Sequence, residues 1–358
     1  MYDFNKNTLP KLFKEGASKE DWEARRQEIL ELMQKEMYGY TPKEKCRVEA
    51  EVLEEKSEFA GKALLGRVKL TCTFGSVSFS FPVTYAFPVK NEISPVFVHI
   101  NFRPLMPDQY MPAEEIIDGG FGFAQICYKD IVNDNLNGDF SDGLGLAYFN
   151  GRGRNEDDWG KVGMWAYALS RTIDYLETRK EVDKKHIMAI GHSRLGKTSL
   201  WAGAQDERIY ATFVNDSGAG GSAITRDKEG EHIHHFAKSG MWDWFGERYK
   251  SWANREDEMP FDQHFAIALI APRLVCVGSA ENDTWADPKS EKLGCEIAGE
   301  VWALYGKDGL TEKCDEEFEN AYLSGCVGYQ VRTGDHYLSR TDWIRYMKFA
   351  KMHIETDA

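Results

Sequence analysis

At 358 residues, with 42% hydrophobic and 28% charged side chains, the chain is long enough to bury a full core as one large α/β domain or two smaller ones. Its formal net charge of −14 sets a mean field that repels nucleic acid and anionic membrane surfaces, so neither is expected as a partner. No apolar run approaches the roughly 20 residues of a membrane-spanning helix.

The opening stretch, Met1 to Pro10, has no basic segment followed by an apolar run, so no signal peptide is read there. That points to the cytoplasm, although a secreted protein trimmed of its leader would look the same. From Lys19 to Met37 a charged sequence with periodic Trp22, Ile29, Leu30 and Met33 predicts an amphipathic helix ending near Gly39, within an N-terminal helical extension over 1–45. Three runs rich in Val, Phe and Thr follow: Arg47 to Leu53, Ala63 to Phe74 and Val77 to Val89. They predict antiparallel strands, with a turn at Gly75-Ser76 between the last two.

After Pro95 the pattern changes to short apolar strands separated by helices: Val96 to Ile100, Phe123 to Cys127, His186 to Ile190, Thr212 to Asn215 and Leu274 to Gly278. Alternation of this kind predicts a mostly parallel sheet with helices on both faces. A helix is expected over Met164 to Arg179, with Trp165, Leu169, Ile173 and Leu176 at helical spacing. No internal repeat or linker is visible, so a single domain over 1–358 is expected, with an aromatic-rich insertion at 226–262. The seven cysteines (Cys46, Cys72, Cys127, Cys276, Cys295, Cys314, Cys326) are scattered, odd in number and without a CxxC pair. They read as reduced thiols and not as a disulfide framework or zinc site.

The stretch Ile190-Gly191-His192-Ser193-Arg194-Leu195-Gly196-Lys197 sets a serine between glycines where an apolar strand meets a helix. That is the pattern of a nucleophile elbow, in which a strained turn lifts the serine Oγ above the sheet and the new helix aims its free N–H groups at the same spot. The second glycine is displaced by one place, since Leu195 stands where it usually falls. A serine hydroxyl needs a base and a group that orients the base. The order in α/β-hydrolases is serine, acid, histidine; here Ser193 is followed by Asp216 and Asp283 as acid candidates, then by His336 after the apolar run Val327 to Val331. If the turn is an elbow, His192 points away from the serine, and His232, His234 and His235 lie in the insertion.

These motifs, together with Tyr38-Gly39, Tyr128-Lys129-Asp130, Asp216-Ser217-Gly218-Ala219-Gly220-Gly221, Asp262-Gln263-His264, Ala271-Pro272-Arg273, Asp283-Thr284-Trp285-Ala286-Asp287-Pro288 and Gly334-Asp335-His336, run through nearly the whole chain. In them the sequence resembles the glucuronoyl esterases, carbohydrate esterase family fifteen. The displaced glycine belongs to that family's own Gly-x-Ser-Arg-x-Gly-Lys form. The resemblance implies an α/β-hydrolase three-layer sandwich with antiparallel N-terminal strands. It also implies Ser193 as nucleophile, His336 as base, and Arg194 as an oxyanion group through its backbone N–H and guanidinium.

The family places its acid at two positions, matched by Asp216 and Asp283; Asp283 is favoured because it follows a strand in the ordinary α/β-hydrolase place. Lys197 and Trp285 match sugar-binding residues, whereas His235, Trp242 and Trp244 match too loosely to assign. The stretch from Asn101 to Met111 departs from the family. The implied activity is hydrolysis of glucuronate esters on xylan side chains, with a small carbohydrate ester or xylan oligosaccharide as partner and neither metal nor organic cofactor. The alternatives are a deacetylase of acetylated xylo-oligosaccharides using the same residues, and a non-catalytic carbohydrate-binding protein.

Overall fold

In the computed structural model the described residues are 8–106, 108–134, 139–238 and 241–357. The expectation about a leader therefore rests largely on residues 1–7, outside the described residues, and the insertion is described except for residues 239 and 240. Ten strands form one sheet: β1 (Arg47–Glu58), β2 (Ala63–Phe74), β3 (Val77–Pro88), β4 (Ser94–Asn101), β5 (Gly122–Cys127), β6 (Val182–His192), β7 (Ala211–Asn215), β8 (Leu274–Ala280), β9 (Ala321–Tyr322) and β10 (Val327–Arg332). Their spatial order is β1-β2-β3-β5-β4-β6-β7-β8-β10-β9. The pairs from β5 through β4, β6, β7 and β8 to β10 are parallel, and those among β1, β2, β3 and β5 are antiparallel.

Alternation along the central strands separates two cores, because successive side chains of a strand point to opposite faces. Val96, Val98, Ile100, Ile187, Ala189, Val214, Val275 and Val277 join one apolar cluster, while Phe97, Met188, Ile190, Phe213 and Cys276 join the other. The first is covered by α1 (Lys19–Met33), α5 (Lys161–Leu176), α6 (Arg194–Gln205), α8 (His264–Ala268) and α9 (Pro288–Ala303), and the second by α2 (Ala113–Asp118) and α10 (Arg340–Asp357). Between them in the chain come α3 (Tyr128–Ile131), α4 (Gly143–Phe149) and, inside the 226–262 segment, α7 (Ile233–Lys238). This is the expected three-layer α/β-hydrolase sandwich.

The first helix ends as a regular α-helix at Met33, and one π-helical turn, Gln34–Tyr38, carries it to Gly39 at φ 76°. It lies on the outside of the fold, yet Trp22, Ile29 and Met33 are fully buried. Burying each of the last two contributes roughly 1.5–3 kcal/mol. The helix starts with a capping box, Ser18 with Asp21.

Two expectations fall short of the structure. β1 runs five residues past Leu53, through a charged segment exposed along its length, because β2 supplies paired backbone for it up to Glu58↔Ala63. The two-residue strand β9, which adds an antiparallel edge to β10, has too short a pattern to be read from the sequence. Among the described residues no helix is long and apolar enough to cross a membrane.

Candidate active site

Ser193 sits between β6 and α6 with φ 59° and ψ −128°, a region that L-residues rarely enter. Two glycines make the turn possible. A Cβ on Gly191 would lie 2.0 Å from the Leu195 carbonyl oxygen, so no side chain fits there. A Cβ on Gly196 would come within 3.0 Å of the Asn215 carbonyl and 3.1 Å of Ser217 Cβ, so the displaced glycine lets α6 lie against the end of β7. The Ser193 N–H donates to the Asn215 carbonyl at 2.8 Å, and the serine carbonyl accepts from Lys197 N–H at 3.1 Å. The N–H groups of the first turn of α6 have no partner inside the helix and are directed at the elbow.

His336 lies on the connection from β10 to α10. Arg332 holds that connection: its guanidinium donates to the carbonyls of Thr333 (3.3 Å), Asp335 (3.0 Å) and Tyr337, while its Nε donates to Asp342 Oδ2 at 2.7 Å. The loop is also zipped to the one after β8, since Asn282 N–H donates to the Gly334 carbonyl at 3.0 Å and Asn282 Nδ2 to Asp335 Oδ1 at 3.2 Å. The result is a 2.6 Å hydrogen bond between His336 Nδ1 and Asp283 Oδ2. Asp283 Oδ1 accepts from Ala286 N–H at 3.2 Å, which fixes the carboxylate plane. With Nδ1 so engaged, His336 turns Nε2 outward as a proton acceptor, and its side chain is 43% exposed.

Asp216 occupies a left-handed turn after β7, at φ 43°. Its Oδ2 accepts from Tyr337 N–H at 3.3 Å and lies 3.6 Å from Arg332 Nη2, while its Oδ1 is buried without a hydrogen-bond partner. Burial, reinforced by the negative charges of Glu291, Asp342 and Asp283 and opposed by Arg332, holds this carboxyl well above the usual carboxylate range. Asp216, Asp283 and His336 each offer a ligand atom within 4.8 Å of the others, the spacing a metal ion would need. Two of the three, Asp283 and His336, are already joined by a hydrogen bond.

His192, expected to point away from the serine, is packed against the base: its buried ring lies 4.5 Å, centroid to centroid, from that of His336. It packs on Tyr110, and its Nδ1–H donates to Asn215 Oδ1 at 2.7 Å, while Asn215 Nδ2 donates to Tyr346 Oη at 3.2 Å. Burial holds its pKa well below the ordinary value, so it is a neutral floor beneath the histidine.

Arg194 reaches back over the elbow. Its Nη1 is 2.5 Å from Asp134 Oδ2, and its guanidinium lies 4.8 Å from the Trp244 ring centre and 5.7 Å from that of Phe102. Lys197 is not a solvated lysine. It is buried, donating to the Ser217 carbonyl at 2.5 Å and to Glu231 Oε2 at 3.1 Å. Glu231 escaped the sequence reading; 34 residues separate it from Lys197, and the segment gives no periodic or motif signal for it.

Trp285 is 49% exposed, which removes the core reading that a lone tryptophan invites. Its ring lies 4.8 Å from that of His235. Trp244 is buried, and Trp242 packs beside Phe236. On the opposite side, Phe102, Tyr110 and Tyr337 form an aromatic edge, with Tyr337 Oη donating to the Gln109 carbonyl at 2.8 Å.

A sequence model of the family described as "Glucuronyl esterase, fungi" matches residues 70–306. The chain is 40% identical over 245 residues to "Carbohydrate esterase MZ0003" from an unknown prokaryotic organism, covering 67% of this chain and 55% of that protein. It is 29% identical over 306 residues to a "4-O-methyl-glucuronoyl methylesterase" of Podospora anserina, covering 81% of this chain and 57% of the relative. The chain thus spans a little over half the length of these curated relatives. A solved structure, "Glucuronoyl Esterase from Solibacter usitatus", superimposes with a TM-score of 0.87 at 32% identity, covering 98% of this chain and 99% of that one. By sequence and by fold, the chain belongs to the glucuronoyl esterase family, carbohydrate esterase family 15.

Proposed function

We propose that the chain is a serine carboxylic-ester hydrolase acting on esters of 4-O-methyl-glucuronic acid carried by xylan side chains. The observation that carries the reading is the 2.6 Å His336–Asp283 hydrogen bond, in a chain whose elbow holds Ser193 at φ 59°. Ser193 Oγ attacks the C6 carbonyl as His336 Nε2 takes its proton, and Asp283 stabilises the imidazolium that forms. The tetrahedral oxyanion faces the Arg194 N–H at the start of α6 and the Arg194 guanidinium. His336 returns the proton to the departing alcohol. Water, activated by the same histidine, then releases the acid from Ser193.

The surroundings support a sugar as the acyl part. Lys197 and Glu231 form a buried ion pair with donor and acceptor capacity left for hydroxyl groups, and Trp285 offers an exposed ring face with one indole donor. The pair is neutral overall, which suits an uncharged ester better than a free carboxylate. Exposure of both His336 and Trp285 leaves the cleft open, as an ester attached to a polysaccharide requires.

The test compares rates on a methyl ester of 4-O-methyl-glucuronate and on an acetylated xylose. The ester of the uronic acid is expected to be hydrolysed faster; faster release of acetate would refute the substrate assignment and favour a deacetylase. Absence of turnover on both would favour a carbohydrate-binding role.

A further inference from the structure

We propose that Asp134 is a positioning residue that sets the Arg194 guanidinium for the developing oxyanion. The inference rests on the reading of Arg194 as an oxyanion group. Asp134 follows α3, 60 residues before Arg194 in the chain. Its side chain is only 6% exposed, and each of its oxygens has one partner of different origin: Oδ2 lies 2.5 Å from Arg194 Nη1, and Oδ1 accepts from the Trp244 indole N–H at 2.9 Å.

Trp244 in turn lies against the guanidinium, 4.8 Å from ring centre to carbon, with Phe102 at 5.7 Å. One carboxylate therefore fixes both the arginine and the aromatic surface on which it rests. Among the described residues neither Nε nor Nη2 makes a hydrogen bond; Nε is buried, which leaves Nη2 as the donor for substrate. An arginine unrestrained in this way loses side-chain entropy when it engages the transition state, whereas one already clamped does not.

Asp134 also opposes that benefit, because its negative charge offsets the positive field of Arg194. The two effects predict opposite outcomes for Asp134→Asn, which keeps an oxygen for Trp244 and removes the charge. Positioning predicts a fall in kcat of about tenfold with KM within about twofold; charge compensation alone predicts a rise in kcat.

The experiment is a double-mutant cycle on the methyl ester, with Asp134→Asn, Arg194→Ala and the pair together. The fall caused by Asp134→Asn is expected to vanish when Arg194 is already alanine. An undiminished fall in that background, or a rise in kcat in the Arg194 protein, overturns the proposal. If Arg194→Ala alone leaves kcat near that of the unaltered protein, the oxyanion reading of Arg194 fails, and the positioning role fails with it for that separate reason. Should Asp134→Asn not fold, Trp244→Phe tests the same clamp from its other side: a smaller fall in kcat is expected, absent in the Arg194→Ala background, and persistence there contradicts the proposal.

Discussion

The connections after β7 and after β8 lie side by side at the same edge of the sheet, and each brings an aspartate near His336, yet only one of the two carboxylates bonds the ring. After β8, Asp283 accepts a backbone N–H from Ala286 and meets His336 Nδ1 at 2.6 Å. After β7, Asp216 is more deeply enclosed, leaves one oxygen unsatisfied and faces the negative charges of Glu291, Asp342 and Asp283. Nearness to a histidine does not make a carboxylate its orienter. A direct hydrogen bond to the ring nitrogen does, and of the two turns only the one after β8 supplies it.

The backbone beneath the two turns differs as well. Glu291, fully buried on α9, accepts from Ser217 N–H and Gly218 N–H and from the hydroxyls of Ser217, Ser222 and Ser279. It pins the turn that follows Asp216, and through the Ser217 carbonyl it also anchors Lys197. The β8 turn is held instead by the His336 loop. One turn is thus tied to the Lys197–Glu231 pair, and the other to the loop that carries His336.

Ser193→Ala sets the floor for the comparison and should lower kcat by at least about 10⁴-fold, measured by ester hydrolysis; unchanged turnover would remove both turns from the mechanism. Arg332→Met touches both regions, because Arg332 holds the His336 loop and lies 3.6 Å from Asp216. It should reduce kcat by roughly ten- to a hundredfold and lower the melting temperature. Asn282→Ala removes the side-chain link between the β8 turn and Asp335 alone, at 3.2 Å. A fall in kcat of about two- to threefold is expected, in line with one partly exposed hydrogen bond.

The smallest catalytic effect belongs to Asp216, whose signature is instead in stability against pH. Its folded pKa is raised above the ordinary 3.8, so the folded state binds the proton more tightly than the unfolded chain does. Its contribution is fully present below the unfolded value and is lost as pH rises through the folded one. Denaturant unfolding of Asp216→Asn, followed from about pH 4 upward, should therefore decline less with pH than that of the unaltered protein. Parallel curves would show that Asp216 is ionised in the fold.

Local pattern made much of this legible. Alternation in Val96 to Ile100 and the elbow at Gly191 to Lys197 are local signals, and the serine, acid, histidine order survives because parallel strands deliver their ends to one edge. What stayed hidden depends on contacts between distant segments. Asp134, Glu231 and Arg332 carry no motif, since an acid or arginine in a loop reads as solvated surface until the partner it meets is known. The packing of His192 against His336 stayed hidden too, because it joins segments far apart in the chain. Position after a strand favoured Asp283 in the sequence without excluding Asp216, which also follows one; the hydrogen bond to His336 Nδ1 separates them.

The most direct test measures kcat for Asp283→Asn and Asp216→Asn side by side on the methyl ester of 4-O-methyl-glucuronate. The account predicts a loss of about 10³-fold or more for Asp283→Asn and of less than about twofold for Asp216→Asn. The reverse order would contradict it, placing the orienting carboxylate on the turn after β7.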